Sequence, residues 1–218
     1  MKEPEHSPTI YLKDHKPPPY LVNHTDLDFQ IHDGHTDVKS KLTITKNHAG
    51  NDPLILDGKN LELKSVKING VTLHEGEDYT LTDKKLTITA CGDQESFDVE
   101  IETRIKPEDN TALQGLYKSG GIYCTQCEAE DFRAITYFPD RPDVMSTLKV
   151  RVEADKEKCP VLLSVGNLPI TGEAENGRHY AEYEYDLPQS SYLFALVGGD
   201  LKHIERTIKT ESGKDVRL

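Results

Sequence analysis

Residues 97–103 read FDVEIET, with an apolar or β-branched residue at every second position. Successive side chains of a β-strand point to opposite faces of the sheet, so this alternation predicts a strand with one buried face. The same pattern recurs in other segments and predicts further strands at 27–31, 41–45, 85–89, 148–153, 161–165, 179–186, 192–197 and 203–210. Helical spacing is hard to find, and the only helix predicted is a short one at about 129–133.

The connections between these segments carry the chemistry of tight turns. Asp33-Gly34, Asn69-Gly70 and Asn176-Gly177 are dipeptides that tolerate positive φ and close antiparallel hairpins. We therefore expect an all-β fold, an antiparallel sandwich of packed sheets with one short helix in a long loop.

The length of 218 residues suits a single domain, 1–218, with a substantial core. Pro17, Pro18 and Pro19 have no N–H to donate, so residues 1–19 are predicted to form an extended arm. The last residues, 211–218, are typical of a turn leading into a further strand. We therefore expect the chain to be a fragment of a longer protein.

Composition and charge exclude several classes of partner. The chain has 26 Lys and Arg against 38 Asp and Glu, a net charge of −12, which repels nucleic acids and anionic membrane surfaces. No apolar run approaches the roughly 20 residues of a membrane helix, and the first residues lack the apolar middle of a signal peptide. We expect a cytoplasmic protein, with no nucleic acid and no membrane partner, whose four cysteines are free thiols.

Residues 115–144, GLYKSGGIYCTQCEAEDFRAITYFPDRPDV, concentrate special side chains more than any other part of the chain. Two cysteines, a glutamine, several acids, glycines and five aromatic residues fall within this stretch. Such density is typical of a functional site.

Three other candidate sites are weaker. Cys124 and Cys127 have the spacing of a redox dithiol or half a zinc site. Cys91 and Cys159 form no second close pair for a zinc site, and this strand-rich chain does not offer the strand-to-helix turn of a parallel α/β fold that a redox dithiol needs. Residues 74–78, HEGED, begin like the zinc-peptidase H-E-x-x-H motif but end in aspartate.

His32 and His35 flank the Asp33-Gly34 turn and are predicted to be solvated turn residues. No G-x-S-x-G elbow and no phosphate-binding glycine loop is present.

Gln126 and Glu128 form the most interesting pair. In an extended run, alternate residues lie on one face, so both side chains are expected to point the same way. A carboxylate beside an amide carbonyl is a good receptor for a protonated amine. Spacing alone favours the simpler interpretation, a solvated acid and a loop glutamine.

The run 125–130, TQCEAE, preceded by Gly115-Leu116-Tyr117 and followed by DRPDV at 140–144, resembles a known domain. It is similar to the amino-terminal domain of the M1 zinc metallopeptidases, in their bacterial aminopeptidase N branch. Residues 17–20, 175–179 (ENGRH), 192–197 (YLFALV) and 199–200 resemble the same domain in the same order.

The resemblance implies a β-saddle domain that covers the active-site cavity and presents Gln126 and Glu128 to the substrate's free amino group. It implies a zinc aminopeptidase as the parent enzyme, with a peptide amino terminus as the ligand and a downstream catalytic domain as the partner. The family's zinc ligands, general base and G-A-M-E-N motif lie in that following domain, so no catalytic residue and no metal ligand is expected in this chain. The alternative is a non-catalytic β-sandwich binding module.

A missing catalytic domain also implies an exposed contact surface. We expect Ile135, Tyr137 and Phe138 to face that domain in part.

Overall fold

The computed structural model describes residues 11–218. Within them the strands, in chain order, are β1 (Tyr20–His32), β2 (His35–Lys46), β3 (Leu54–Asp57), β4 (Glu62–Ile68), β5 (Val71–Thr72), β6 (Tyr79–Leu81), β7 (Lys85–Ile88), β8 (Ser96–Ile105), β9 (Gly115–Ser119), β10 (Ile122–Gln126), β11 (Met145–Asp155), β12 (Val161–Ser164), β13 (Ile170–Glu173), β14 (Arg178–Ser190), β15 (Leu196–Gly199), β16 (Thr207–Lys209) and β17 (Asp215–Arg217). Short 3₁₀ helices occur at Leu12–Asp14, Phe132–Ala134 and Ser191–Leu193.

The strands form four sheets. The large sheet has the order β13-β14-β11-β1-β2-β8-β4-β5, and the small sheet has the order β12-β15-β10-β9. A three-stranded sheet, β3-β7-β6, and the hairpin β16-β17 complete the set. The strand pairs are antiparallel except β1 and β11, which run parallel. The predicted all-β class of packed antiparallel sheets is confirmed.

The alternation of apolar and polar residues in the sequence matches an alternation of buried and partly exposed side chains in the strands. In β1, Leu27, Phe29 and Ile31 are buried while the residues between them stay partly exposed. In β8 the same pattern holds from Phe97 to Ile105. The predicted hairpin turns at Asp33-Gly34, Asn69-Gly70 and Asn176-Gly177 lie between paired strands.

Four phenylalanines join the large sheet to the long loop that carries the TQCEAE run. Phe29 of β1 stacks on Phe194 with ring centroids 5.8 Å apart. Phe132 meets Phe194 edge to face at 5.4 Å and Phe138 edge to face at 5.1 Å. Such aromatic pairs contribute about 0.5–1.5 kcal/mol each beyond the area they bury, so the loop packs as part of the core.

The predicted helix at 129–133 is only partly right. Residues 128–131 form turns, and the helix is a single 3₁₀ turn at Phe132–Ala134. The side chains of 128–130 are exposed and Phe132 is buried, so the segment lacks an apolar face long enough to support an α-helix.

Two predicted strands are also shorter than expected. Residues 191–193 form a 3₁₀ helix and β15 begins only at Leu196, because Ser191 and Phe194 turn into buried contacts. Of residues 203–210, only Thr207–Lys209 pair with another strand. The exposed residues before them pack against no core.

The predicted arm at 1–19 lies partly outside the described residues, which begin at 11. In the described part, Lys16 accepts a hydrogen bond through its carbonyl oxygen from Arg141 Nη2, at 2.8 Å. None of the helices in residues 11–218 has the length and apolar character needed to span a bilayer.

The prediction that Ile135, Tyr137 and Phe138 form part of an exposed contact surface is wrong. All three side chains are buried, at 0%, 4% and 2% exposure. The backbones of Phe138 and Asp57 exchange hydrogen bonds of 2.8 and 3.1 Å, which ties this segment to β3. The Tyr137 ring lies over Gly58, where a Cβ would come within 2.1 Å of Tyr137 Cε1.

This close approach generates a prediction. Gly58→Ala is expected to destabilise the chain by about 1–3 kcal/mol, because the buried tyrosine ring has no room to move aside. Gly198→Ala is the control, since its added Cβ meets Leu162 at an ordinary 3.4 Å. Urea unfolding of both variants checks this, and similar losses for the two would contradict it.

Candidate functional site

Gln126 and Glu128 lie where β10 ends and the long loop begins. Both residues are exposed, and the residue between them, Cys127, is 2% exposed. The alternation of the strand therefore carries on past its last residue. Gln126 Nε2 donates to the backbone oxygen of Glu128 at 3.2 Å, and the Glu128–Ala129 peptide is cis.

The hydrogen bond orients the Gln126 amide. Its nitrogen faces the Glu128 carbonyl, so its oxygen is left free as an acceptor. The amide contacts the backbone of Glu128, which the sequence did not predict.

The cations around this turn pair with its other acids. Lys59 Nζ lies 3.6 Å from Asp131 Oδ1, and Arg133 Nη2 lies 3.3 Å from Glu130 Oε2. No cation among residues 11–218 forms an ion pair with the Glu128 carboxylate. An exposed, unpaired carboxylate two residues along the chain from a free amide oxygen supplies the groups that bind a small cation with N–H donors.

An apolar row runs across the small sheet beside Gln126. Cys124 lies two residues before Gln126 on β10 and therefore shares its face. It pairs with Tyr117 on one side and Val197 on the other, and Val197 pairs with Leu163. Leu163 is 46% exposed and the other three are half-buried, so the apolar row (Tyr117, Cys124, Val197 and Leu163) is accessible.

The loop after Glu128 is held by a buried carboxylate. Asp140 is 2% exposed. Its Oδ2 accepts from the backbone N–H of Arg133 at 3.1 Å and from Arg133 Nε at 3.0 Å, and its Oδ1 accepts from Ser191 Oγ at 2.6 Å. Arg133 Nη2 also donates to the Asp140 backbone oxygen at 3.0 Å.

These bonds satisfy a charge that would otherwise be costly to bury. They connect the 3₁₀ turn after Glu128 to the segment that leads into β15. Asp131 N–H donates to the Cys127 oxygen at 3.0 Å and closes the turn on the strand side. Gln126 and Glu128 therefore stand on a fixed support.

The cysteines of this stretch are packing residues. Burial raises the pKa of the Cys127 thiol, and the carboxylates of Asp140 and Asp131 raise it further. Cys124 is half-buried, and all four cysteines are free. In the part of the chain that the structure describes, no cysteine belongs to a cluster of three metal-ligand side chains.

The H-E-x-x-H look-alike is a turn. His74 N–H donates to Asp78 Oδ2 at 2.9 Å, and the residues around it are largely exposed. No helix is present there to bring a second ligand one turn on.

Sequence reasoning picked out Gln126 and Glu128, and in the structure the Gln126 amide contacts the backbone of Glu128. Sequence reasoning did not identify the residues that hold the loop after Glu128, which are Arg133, Asp140 and Ser191. The only signal in the sequence was that Asp140 stands among prolines and aromatic residues. Such neighbours are often buried, and a buried carboxylate needs a partner.

A family model described as the Peptidase M1 N-terminal domain matches residues 21–193. The chain is similar to Aminopeptidase N of Caulobacter vibrioides, with 46% identity over 209 residues that cover 96% of this chain and 24% of that protein. It is also similar to Aminopeptidase N of Escherichia coli K12, with 41% identity over 210 residues, 95% of this chain and 23% of that protein. The chain spans about a quarter of the length of these relatives.

Solved structures of M1 peptidases and related aminopeptidases contain a domain with the same fold as this chain. Aminopeptidase A of Legionella pneumophila, in complex with aspartic acid, matches with a TM-score of 0.87 and 34% identity over 94% of this chain and 24% of that chain. An M1 zinc metallopeptidase from Deinococcus radiodurans matches with a TM-score of 0.72 and 19% identity over 92% of this chain and 47% of that chain. The second match, at this identity, supports the fold alone.

The Asp140 network generates a prediction. Asp140→Asn is expected to lower the free energy of unfolding by about 1.5–3 kcal/mol, because hydrogen bonds to a buried charge are lost. Asp143→Asn, three positions on, removes a carboxylate that pairs with Arg141 at 2.6 Å but is 34% exposed. Asp143→Asn serves as the control, and we expect its free energy of unfolding to fall by less than about 1 kcal/mol.

Urea denaturation of the two variants measures the difference. Equal losses would mean that the Asp140 bonds do not hold the loop.

Proposed function

The chain belongs to the peptidase M1 N-terminal domain family, and from this we propose that it is the amino-terminal domain of a zinc aminopeptidase. In this proposal the domain covers one side of the active-site cavity. Gln126 and Glu128 bind the free amino group of the peptide substrate. The whole polypeptide removes amino-terminal residues from peptides.

One observation carries the proposal. Glu128 is exposed and forms no ion pair with residues 11–218, while the turn on which it stands is held by the buried Asp140 carboxylate. An exopeptidase must recognise a chain end, and the charged amine is the chemical mark of that end. The Glu128 carboxylate supplies the opposite charge, and the Gln126 amide oxygen accepts one N–H.

Fixed geometry strengthens such recognition. A receptor that is already in its binding conformation loses little entropy when the ligand arrives. The buried Cys127 between the two side chains and the hydrogen bond from Gln126 to the Glu128 backbone limit how far either can move.

The residues of this chain do not fit the family's zinc site. The one H-E pair, His74-Glu75, lies in an exposed turn with no partner histidine one helical turn on. In our proposal the catalytic zinc, its ligands and the general base therefore lie outside these 218 residues.

A catalytic domain of the same polypeptide is the proposed partner. The apolar row beside Gln126 lies on the face that carries the proposed substrate-binding residues, so a domain docked there would bring its own groups to the same cavity. This surface takes the place of the expected one at 135–138, which is buried. The cytoplasm remains the proposed location.

The first test is genetic. The reading frame that continues after Leu218 is expected to encode H-E-x-x-H followed by a further glutamate, the zinc ligands of the family. Sequencing the locus decides it. A frame that stops at Leu218 or continues without that motif would leave the binding-module alternative.

The second test is kinetic and uses the complete polypeptide. Glu128→Gln is expected to lower kcat/KM for free-amine substrates roughly tenfold to a hundredfold, because a hydrogen-bonded charge contributes about 1.5–3 kcal/mol. Gln126→Ala removes a neutral hydrogen-bond partner and is expected to reduce transition-state stabilisation, measured by kcat/KM, by about 1 kcal/mol.

Glu130→Gln is the matched control, since Glu130 stands on the same turn but pairs with Arg133. It is expected to behave as wild type. Amino-acetylated substrates, which carry no charge to recognise, should be equally poor for all four proteins. Full activity of Glu128→Gln on free-amine substrates, with zinc content unchanged, would refute the anchor role.

A further inference from the structure

The hairpin between β1 and β2 brings two imidazoles and a carboxylate together. His32 ends β1, His35 begins β2, and the two are directly paired across the Asp33-Gly34 turn. Directly paired residues of an antiparallel ladder lie on the same face of the sheet. Asp37 follows His35 by two positions and shares that face.

The distances are close to those of a metal site. One ring nitrogen of each histidine and one carboxylate oxygen of Asp37 all lie within 4.8 Å of one another. Ligands of a tetrahedral ion with bonds of about 2.1 Å lie roughly 3.4 Å apart. The three groups therefore need to approach by little more than 1 Å, a change that side-chain rotations can supply.

The two imidazoles lie near each other, and neither forms a side-chain hydrogen bond to a residue outside the cluster within 11–218. Their rings stack with centroids 4.9 Å apart and an interplanar angle of 27°. Both are half-buried, and the side chains of His35 and Asp37 are 30% and 31% exposed. Solvent can reach the cluster and provide a water as fourth ligand.

Asp37 is oriented by Arg104 on the neighbouring strand. Arg104 Nε donates to Oδ1 at 2.6 Å and Nη2 donates to Oδ2 at 2.8 Å. A carboxylate has about four lone-pair positions, so it can accept both bonds and still bind an ion. Carboxylates that bind metals are commonly hydrogen-bonded in this way by an outer partner.

The nearby positive charge is balanced. Arg178 pairs through Nε with Glu153 Oε1 at 2.8 Å and donates to the Ile31 backbone oxygen at 2.9 Å. Arg104 is paired with Asp37 itself. These pairings reduce the repulsion that the two guanidinium groups exert on a cation, although burial and, after it, Arg178 still lower the pKa of His32.

We propose that His32, His35 and Asp37 bind a divalent transition-metal ion of the zinc type. Two imidazoles and one carboxylate with an open fourth position form a donor set that Zn²⁺ accepts readily. The proposal does not rest on the proposed function. It differs from the sequence-based expectation of no metal ligand in this chain.

The test is calorimetric titration of Zn²⁺ into the metal-free 218-residue chain. We expect one ion per chain. His32→Gln and His35→Gln are each expected to weaken binding at least about tenfold, which is the smallest effect that loss of even an outer partner produces. His48→Gln is the matched control: its Nε2 lies 3.5 Å from Asp52 Oδ2, but no third metal-ligand side chain of the described residues joins them.

Two further measurements keep the result clear. Zn²⁺ should raise the thermal midpoint of the wild type and of His48→Gln but not of the His32 and His35 variants, whose circular dichroism shows whether they fold. The absorption spectrum of bound Co²⁺ should lack thiolate bands. Binding that survives in His32→Gln and His35→Gln but fails in Cys124→Ser, or no binding by the wild type, would overturn the proposal.

Discussion

The long loop depends on one buried negative charge. Asp140 is withdrawn from solvent, and an unpaired carboxylate there would be strongly destabilising, so its partners must be in place whenever the chain is folded. Those partners are Arg133, just after the turn that carries Glu128, and Ser191, just before β15. One acid thereby sets the relative positions of two segments that are distant in the sequence.

The apolar packing around this charge acts in the same direction. Phe132 contacts Phe138 and Phe194, and Phe194 in turn stacks on Phe29 of the large sheet. Gly115 allows a similar close approach, because a Cβ there would lie 2.8 Å from the Ala134 Cβ. The loop is irregular in backbone, but its apolar side chains are buried in the same core as those of the sheets, and a preformed receptor requires such support.

The two candidate binding sites share a physical origin. Gln126 and Glu128 come together at the end of a strand, and His32, His35 and Asp37 come together at the end of a hairpin. In both, the period of two places the side chains of the site on the face opposite the residues that are buried in the core. Exposed or half-buried polar groups at strand ends are thus placed on one face by the requirement to bury their apolar neighbours.

The resemblance to a known domain singled out Gln126 and Glu128, whereas the residue pattern by itself determined the all-β class, the main strands and the three hairpin turns. These follow from alternation and turn chemistry, which act between residues a few positions apart. The tertiary structure alone decided the burial of Ile135, Tyr137 and Phe138, the ending of the 192–197 strand, and the pairing of Asp140 with Arg133 and Ser191. It also decided which polar neighbours surround Asp37, since Arg104 lies on β8, far away in the chain. Contacts of this kind depend on which strands lie side by side, and no local pattern in the sequence records that order.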